Sequence, residues 1–452
     1  MRRVLRAETF RGVAAPAALV IGAATLAMVF SEVGTWAGRW SALAAYLRVV
    51  MIVLIPLTLA AGAWQGGRDH RRRTAELLTS TSRPLWQRTT AAWGSVTAGV
   101  VAGFLLATAV CALLVGRVAT YSSGGWWWLV VVGVIALGAA AAVGLAAGML
   151  LPWRLTAPVV GLAGYFGLGI LTYVDDGRLW LSPAVNAVMD GSYLPFGDHL
   201  LQAAWFALLA VAALTLVGSR RRWPAAGAAA LAVAAGVVIA TGPTDDRWQP
   251  DPVARELVCV DGDPEICTTR ETEFLLGDFA VAARETLTRL DGIGNLPGRV
   301  EAVISYDDLD DGRVHTSVEQ YISWAGTLRR SGAYGGALET DLVRNVLPSG
   351  FCADADGAEL VGELHDVALL WAGVDPRADQ QTVATGTGGM VVESTVDGPH
   401  DRPLDATLHD RLTAWPRAEQ VAWMECYITA GRDCDLTALA VLRAELAKGA
   451  AR

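Results

Sequence analysis

A chain of 452 residues that is 53% hydrophobic, with a mean hydropathy of +0.37 and a formal net charge of −9, is too apolar for a soluble protein. It is long enough for a membrane unit plus one further domain, and its acidic balance argues against nucleic acid as a partner. The single lysine, Lys448, excludes a P-loop and disfavours Schiff-base chemistry, so any ATP hydrolysis must come from another protein.

Seven apolar stretches follow in chain order, at about residues 13–30, 42–63, 91–115, 126–151, 157–174, 201–218 and 225–242. Each approaches or exceeds the roughly 20 residues that a bilayer requires. The first and fifth are the shortest and suit tilted or partly re-entrant helices. Orientation follows from arginine, because positive loops stay in the cytoplasm. With the N-terminus inside, the inner loops hold fourteen arginines, and the outer side holds Arg39, Arg48, Arg117 and Arg178. An odd number of spans then places the C-terminal part outside the cell membrane. Charge divides the same way, with +10 over residues 1–242 and −19 over the remainder.

Between the second and third stretches, residues 64–90 form the longest inner loop. Arg68-Asp69-His70-Arg71-Arg72-Arg73 leads into Thr74-Ala75-Glu76-Leu77-Leu78, a Ser/Thr-rich break and Pro84. This reads as a short amphipathic helix, and one account of it is a basic loop resting on anionic headgroups. The run also resembles the cytoplasmic segment of ABC-2 type permeases, in which a basic-flanked acidic residue precedes a Gly-Thr-x-Glu-Leu-Leu-like turn, a proline and a basic residue. Asp69, Thr74, Glu76, Leu77, Leu78, Pro84 and Arg88 carry the likeness, while Arg73 stands where the family commonly has glycine. The resemblance implies that Asp69, Arg72, Arg73, Glu76, Leu77 and Leu78 form a coupling helix docking on a separate ATP-binding subunit. It further implies a homo- or heterodimer of permeases and covers residues 1–222, the first six spans. Residues 175–199, with Leu179-Trp180-Leu181 and Tyr193-Leu194-Pro195-Phe196, stand where the family has re-entrant helices; an interfacial loop anchored by Trp180 and Tyr193 is the alternative.

Inside the spans ionisable groups are nearly absent. Arg48, one turn into the second stretch, is read as snorkelling to the outer surface. Ion-coupled transporters usually keep a charged group near the midplane, so the pattern favours a path moved by an external motor, or no transport at all. Gly99/Gly103 and Gly144/Gly148 have the Gly-x-x-x-Gly spacing of closely packed helices, and Trp126-Trp127-Trp128 reads as an interfacial belt. After the tight turn Arg220-Arg221-Arg222-Trp223-Pro224, residues 223–242 make a seventh, tether-like span, and residues 243–258 a Pro-rich linker.

Residues 259–452 read as an outer domain, α-rich with minor strands and large enough for its own core. Helical spacing occurs at 271–290, 337–347, 357–371, 418–430 and 436–447, and extended segments at 299–306 and 390–396. Cys259/Cys267 and Cys426/Cys434 share one spacing, and outside the cytoplasm each pair can close a local disulfide, with Asp261-Gly262-Asp263-Pro264 as the first turn. Cys352 is left over, long-range pairing among the five cysteines is equally allowed, and the spacing does not suit zinc knuckles. No His-Glu-x-x-His helix and no Gly-x-Ser-x-Gly elbow is present, so no catalytic residue, metal or cofactor is expected. Asp307-Asp308-Leu309-Asp310-Asp311-Gly312 lacks the bidentate glutamate of a calcium loop, and His365-Asp366 and His409-Asp410 read as surface pairs. The tail, with Pro416–Trp423 and Cys434-Asp435, is similar to the outer ends of actinobacterial permease-like membrane proteins. The expected fold is thus an all-α transmembrane bundle of about seven helices, N-terminus in and C-terminus out, followed by an α-rich (α+β) extracytoplasmic domain. Two functions fit: a permease subunit of an ABC-type exporter in the plasma membrane, or a membrane-tethered binding or sensing protein without transport.

Overall fold

The computed structural model describes residues 13–71, 84–122, 124–173, 177–184, 191–243, 247–296, 298–303, 314–317, 342–344, 346–348, 355–376 and 406–448. The chain divides into two compact units: the first holds residues 1–256 and 270–272, the second 257–269 and 273–452. The division after Glu256 falls near the end of the stretch 243–258 read as a linker.

Unit one is a helical membrane bundle. Its long helices are α1 (Ala14–Ser31), α2 (Trp40–Gly66), α3 (Leu85–Val115), α4 (Trp127–Leu150), α5 (Thr156–Thr172), α6 (Phe196–Gly218) and α7 (Trp223–Ala240). Six of them are long and apolar enough to cross a membrane, and α5 is an apolar helix of 17 residues. The chain is a multi-pass membrane protein. At about 1.5 Å per residue, the 27 residues of α2 extend about 40 Å, more than a hydrocarbon core needs. Helix α3 starts directly after Pro84, which is extended at ψ 146° and has no N–H to leave unpaired.

Helices α2 and α4 form the centre, with α5 on α2, α6 on α4, α3 on α1 and α7 on α6. Small residues let the central backbones meet. Gly144 and Gly148 of α4 lie against the main chain of Leu59 and Ala63, and Gly62 and Gly66 of α2 lie against Ala141 and Leu145. Two Gly-x-x-x-Gly stripes therefore interlock, and in lipid such van der Waals contact is a principal source of helix association. Gly99 and Gly103 pack on Ala14 and Ala18 in the same way. The helices α1, α6 and α7 leave most of their surface exposed and apolar, as lipid-facing helices do.

At one end of the bundle lie a 3₁₀ turn, Gly177–Leu181, and a two-stranded ribbon of β1 (Ser192–Tyr193) and β2 (Gln249–Pro250). In the ribbon Ser192 is opposite Pro250, and Tyr193 opposite Gln249. The expected linker is part of unit one over residues 247–256. Asp251 accepts the Tyr121 hydroxyl at 2.7 Å, and Arg255 donates to the Gly191 carbonyl at 3.0 Å. No re-entrant α-helix occurs among the described residues of the 175–199 loop, and Trp180 is buried rather than an interfacial anchor.

Unit two is α+β. Its sheet has the order β3 (Leu257–Val260), β4 (Glu265–Thr269), β5 (Arg299–Val303) and β6 (Val314–Ser317), antiparallel between β3 and β4 and parallel thereafter. The helices are α8 (Leu276–Leu287), α9 (Ala355–Trp371), α10 (Ala406–Thr413), α11 (Arg417–Arg432) and α12 (Leu436–Lys448). Their apolar faces share one core around Phe279, Leu342, Leu364, Leu412, Met424 and Ile428. The extended segment expected at 390–396 lies outside the described residues, as do the Asp307–Gly312 run and most of 337–347.

Cys259 and Cys267 face each other across β3 and β4 and form a disulfide. Closing a loop of nine residues contributes about 2.6 kcal/mol in the chain-entropy account. The second expected pair does not form. Cys426 is an exposed free thiol, and Cys434 is in a disulfide whose partner lies outside the described residues. The cause is the persistence of α11 to Arg432, which carries the chain about 9 Å from Cys426, beyond the roughly 7 Å a disulfide spans.

His365 is half-buried rather than an open surface residue. Its Nδ1 is 3.1 Å from the Pro348 carbonyl and 3.3 Å from the Tyr427 hydroxyl, which itself donates to Pro348 at 2.9 Å. Burial, aided by the Arg344 charge, lowers its pKa to about 4. Burial, then the charge of Asp366, raises that of Tyr427, so both rings stay neutral at pH 7.

Candidate functional site

Helical spacing builds the site. Ser41, Ala45 and Arg48 are at i, i+4 and i+7 on α2, and His199 and Gln202 at i and i+3 on α6, so each set shares a face. A small cleft is lined by Ser41, Ala45, Trp126, Leu129, His199 and Trp248, with Ser192, Tyr193 and Leu194 of the ribbon loop. One helical turn below Ala45 lies Arg48, 4% exposed.

The guanidinium of Arg48 does not snorkel, because the 3₁₀ turn covers it. Its Nε donates to the Pro183 carbonyl at 3.2 Å and one Nη to the Gln202 side-chain oxygen at 3.3 Å. The Gln202 amide in turn donates to the Trp180 and Ser182 carbonyls at 2.8 and 3.2 Å, which fixes its oxygen towards Arg48. The Trp180 ring has Arg48 at 5.6 Å and Arg247 at 5.1 Å from its centroid. Arg247 donates to the Ile239 carbonyl at 2.6 Å and pairs with Asp198 at 3.5 Å. Burial lowers its pKa and Asp198 opposes that shift; it caps the negative end of α7.

No carboxylate bonds Arg48 among the described residues. Its second Nη has no partner, and neither do the indole N–H groups of Trp180 and Trp248 or Nδ1 of His199, which is 3% exposed. The nearby acids are engaged elsewhere: Asp198 on Arg247, and Glu271, 4% exposed, on the Ser41 hydroxyl and the Gly191 N–H. Tyr121 is a firm neutral donor, its pKa raised by burial and by Asp251. Arg48 and Trp180 are buried outside the cleft lining with donor atoms that have no partner among the described residues, whereas His199 and Trp248 line the cleft itself. An unpaired buried charge costs several kcal/mol, which a fold retains for function more readily than for stability.

Of the residues expected to couple to an ATPase, Asp69 is described, and it lies 3.9 Å from Arg88 and 3.7 Å from Arg68. Arg72, Arg73, Glu76, Leu77 and Leu78 lie outside the described residues. Arg71 stacks on Trp64 at 4.2 Å and donates to its carbonyl, so the short turn Arg68–Arg71 continues from the end of α2. Cys259, Glu265 and Cys267 approach within 4.8 Å, but both sulfurs are consumed in the disulfide, against which Arg299 lies.

Sequence reading missed the Arg48 cluster. Its signal was present: an arginine inside an apolar run with a serine seven residues before it, and His199 three residues from a glutamine. Comparison of the chain with protein-family models, with curated proteins and with solved structures finds no match in any of the three.

Proposed function

We propose that this protein is the membrane permease subunit of an ABC-type exporter, driven by a separate ATP-binding subunit and working as a homo- or heterodimer in the cell membrane. In this reading all seven apolar helices span, with the N-terminus and the arginine-rich loops in the cytoplasm and residues 257–452 outside. Fourteen inner arginines against four outer ones support that sidedness.

The observation that carries the reading is the continuity of α2. One helix runs from the turn containing Asp69, at the segment resembling a coupling helix, to the cleft lined by Ser41 and Ala45 at the other end. Force applied at the first would move the second as a rigid element. The partner would grip Asp69, Arg72, Arg73, Glu76, Leu77 and Leu78, and ATP-driven closure would rock α2 against α4 on their glycine stripes. The unused donors in the cleft also fit a second reading, a tethered binding protein without transport.

Purification of the full chain in mild detergent separates the two, since a permease brings down a nucleotide-binding subunit. Reconstituted with that subunit, Glu76→Arg is expected to reduce its retention and ATP-driven export at least tenfold. Unchanged retention and export in the variant would remove the docking proposal.

A further inference from the structure

We propose that the Cys259–Cys267 bridge is a thiol-exchange site: an outside thiolate opens it at Cys259, and Cys267 departs as a thiolate held by Arg299. The proposal concerns unit two alone and stands whether or not the protein transports.

The sheet gives the bridge unequal ends. Strand β3 is outermost among the described strands and its Cys259 is half-buried, whereas Cys267 on the inner strand β4 is fully buried. Exchange depends on which sulfur a thiolate can reach, and here that is Cys259. The other sulfur is the leaving group, and Arg299 provides for it. In the parallel register of β4 and β5, Arg299 is opposite Glu265 and Glu301 opposite Cys267, so all four side chains share one face with Cys259. The other face carries Ile266, Val300 and Ala302 into the core. The guanidinium donates from Nε to Cys267 Sγ at 3.1 Å and from Nη to Cys259 Sγ at 3.3 Å. Such bonds are weak to a neutral sulfur and become charge-assisted when it turns anionic, which lowers the thiol pKa and speeds its departure.

Two carboxylates on the same face oppose the thiolate. Glu265, 39% exposed, lies 3.3 Å from Arg299 and has an oxygen within 4.8 Å of both sulfurs; Glu301, 3% exposed, pairs with Arg299 at 3.0 Å. Glu265 is screened by solvent and does not touch the sulfurs, while Glu301 keeps the guanidinium in place, so the direct donor outweighs them. In the first displacement the incoming thiolate bonds to Cys259 Sγ, the Cys259–Cys267 bond breaks, and its electron pair leaves on Cys267 Sγ. A dithiol partner then closes its own disulfide by attacking the sulfur it had joined to Cys259, which departs as a thiolate. Two electrons pass from the partner dithiol, which is oxidised, to the cysteine pair, which is reduced, and the protons exchange through water. The partner is thus a dithiol, and opening the bridge frees β3, the first strand of unit two, from its covalent tie to β4.

The test uses the full chain in a neutral detergent, carrying Cys426→Ser to remove the exposed free thiol, with dithiothreitol as the probe and alkylation with peptide mapping as the readout. New alkylation at Cys259 and Cys267 is expected in folded protein, and Arg299→Gln is expected to slow it about tenfold. Glu265→Gln removes the exposed opposing charge and is expected to speed opening about threefold; it gives an answer even if Arg299→Gln fails to fold. Glutathione, a monothiol that cannot complete the second displacement, is expected on Cys259, trapped there by alkylation of Cys267. Unchanged rates in the folded variants, glutathione on Cys267, or a bridge that opens only when denaturant unfolds the chain would overturn the proposal.

Discussion

Gly148→Leu is expected to break the membrane unit. A side chain at Gly148 would collide with the Ala63 carbonyl, and the obstacle is main chain, which cannot turn aside as a flexible side chain can. Helices α2 and α4 must then separate, losing the reciprocal contact of Gly62 and Gly66 with Ala141 and Leu145. Overpacking of this kind costs about 3 kcal/mol, which in a unit of this size lowers the unfolding midpoint by about 10 °C. Thermal unfolding with size-exclusion chromatography in detergent reads the effect. Gly167→Leu on α5, where a Cβ meets nothing within 4 Å, is the matched control and is expected to behave as wild type. Equal stability of the two variants would mean that the glycine stripes do not set the interface.

Unit two is expected to lose about 2 kcal/mol through His365 alone as pH falls from about 6.5 to about 4. The folded pKa is lowered to about 4 while the unfolded value is the ordinary one near 6.5, so between them the unfolded chain binds more protons. Its contribution is complete above about 6.5 and disappears as pH falls through the window. The figure is reduced below the full shift because the imidazole retains some contact with solvent. Protonation would place a cation beside Arg344 and against the neutral Tyr427 hydroxyl. Denaturant unfolding of the full chain at pH 7 and pH 4.5 measures it, with His365→Gln removing this component and leaving the carboxylates. If the variant keeps the wild-type pH dependence, the proton goes elsewhere.

What sequence made legible follows from which forces act locally. The apolar runs mark the bundle because length and hydropathy are properties of contiguous residues, so 126–151 and Trp127–Leu150 agree closely. The Cys259–Cys267 bridge was equally readable, since a turn between two cysteines needs no distant partner. Its twin failed because α11 continues through Cys426, a matter decided by packing of Trp423, Tyr427 and Ile428 into the core. Arg48 was misread for a related reason. Snorkelling describes a helix end open to headgroups, whereas residues 177–184, more than a hundred positions away, close over this arginine. The sheet of unit two was also underread, because β3 and β4 are short and β4 takes its second neighbour, β5, from beyond a helix. The proposed coupling segment rests on a resemblance, and its residues 72–78 lie outside the described residues.

The proposed sidedness puts the loop of residues 72–83 and residues 257–452 on opposite sides of the membrane. Cys426 is exposed and unpaired, while Cys111 is buried, which makes Cys426 the natural reporter among the described residues. A membrane-impermeant maleimide applied to intact cells is expected to label the protein, with the signal lost in Cys426→Ser. A cysteine introduced as Thr79→Cys in the Cys426→Ser background is expected to label only after permeabilisation. Labelling of Cys426 only in permeabilised cells, or of position 79 in intact ones, would contradict the proposed sidedness and the permease reading built on it.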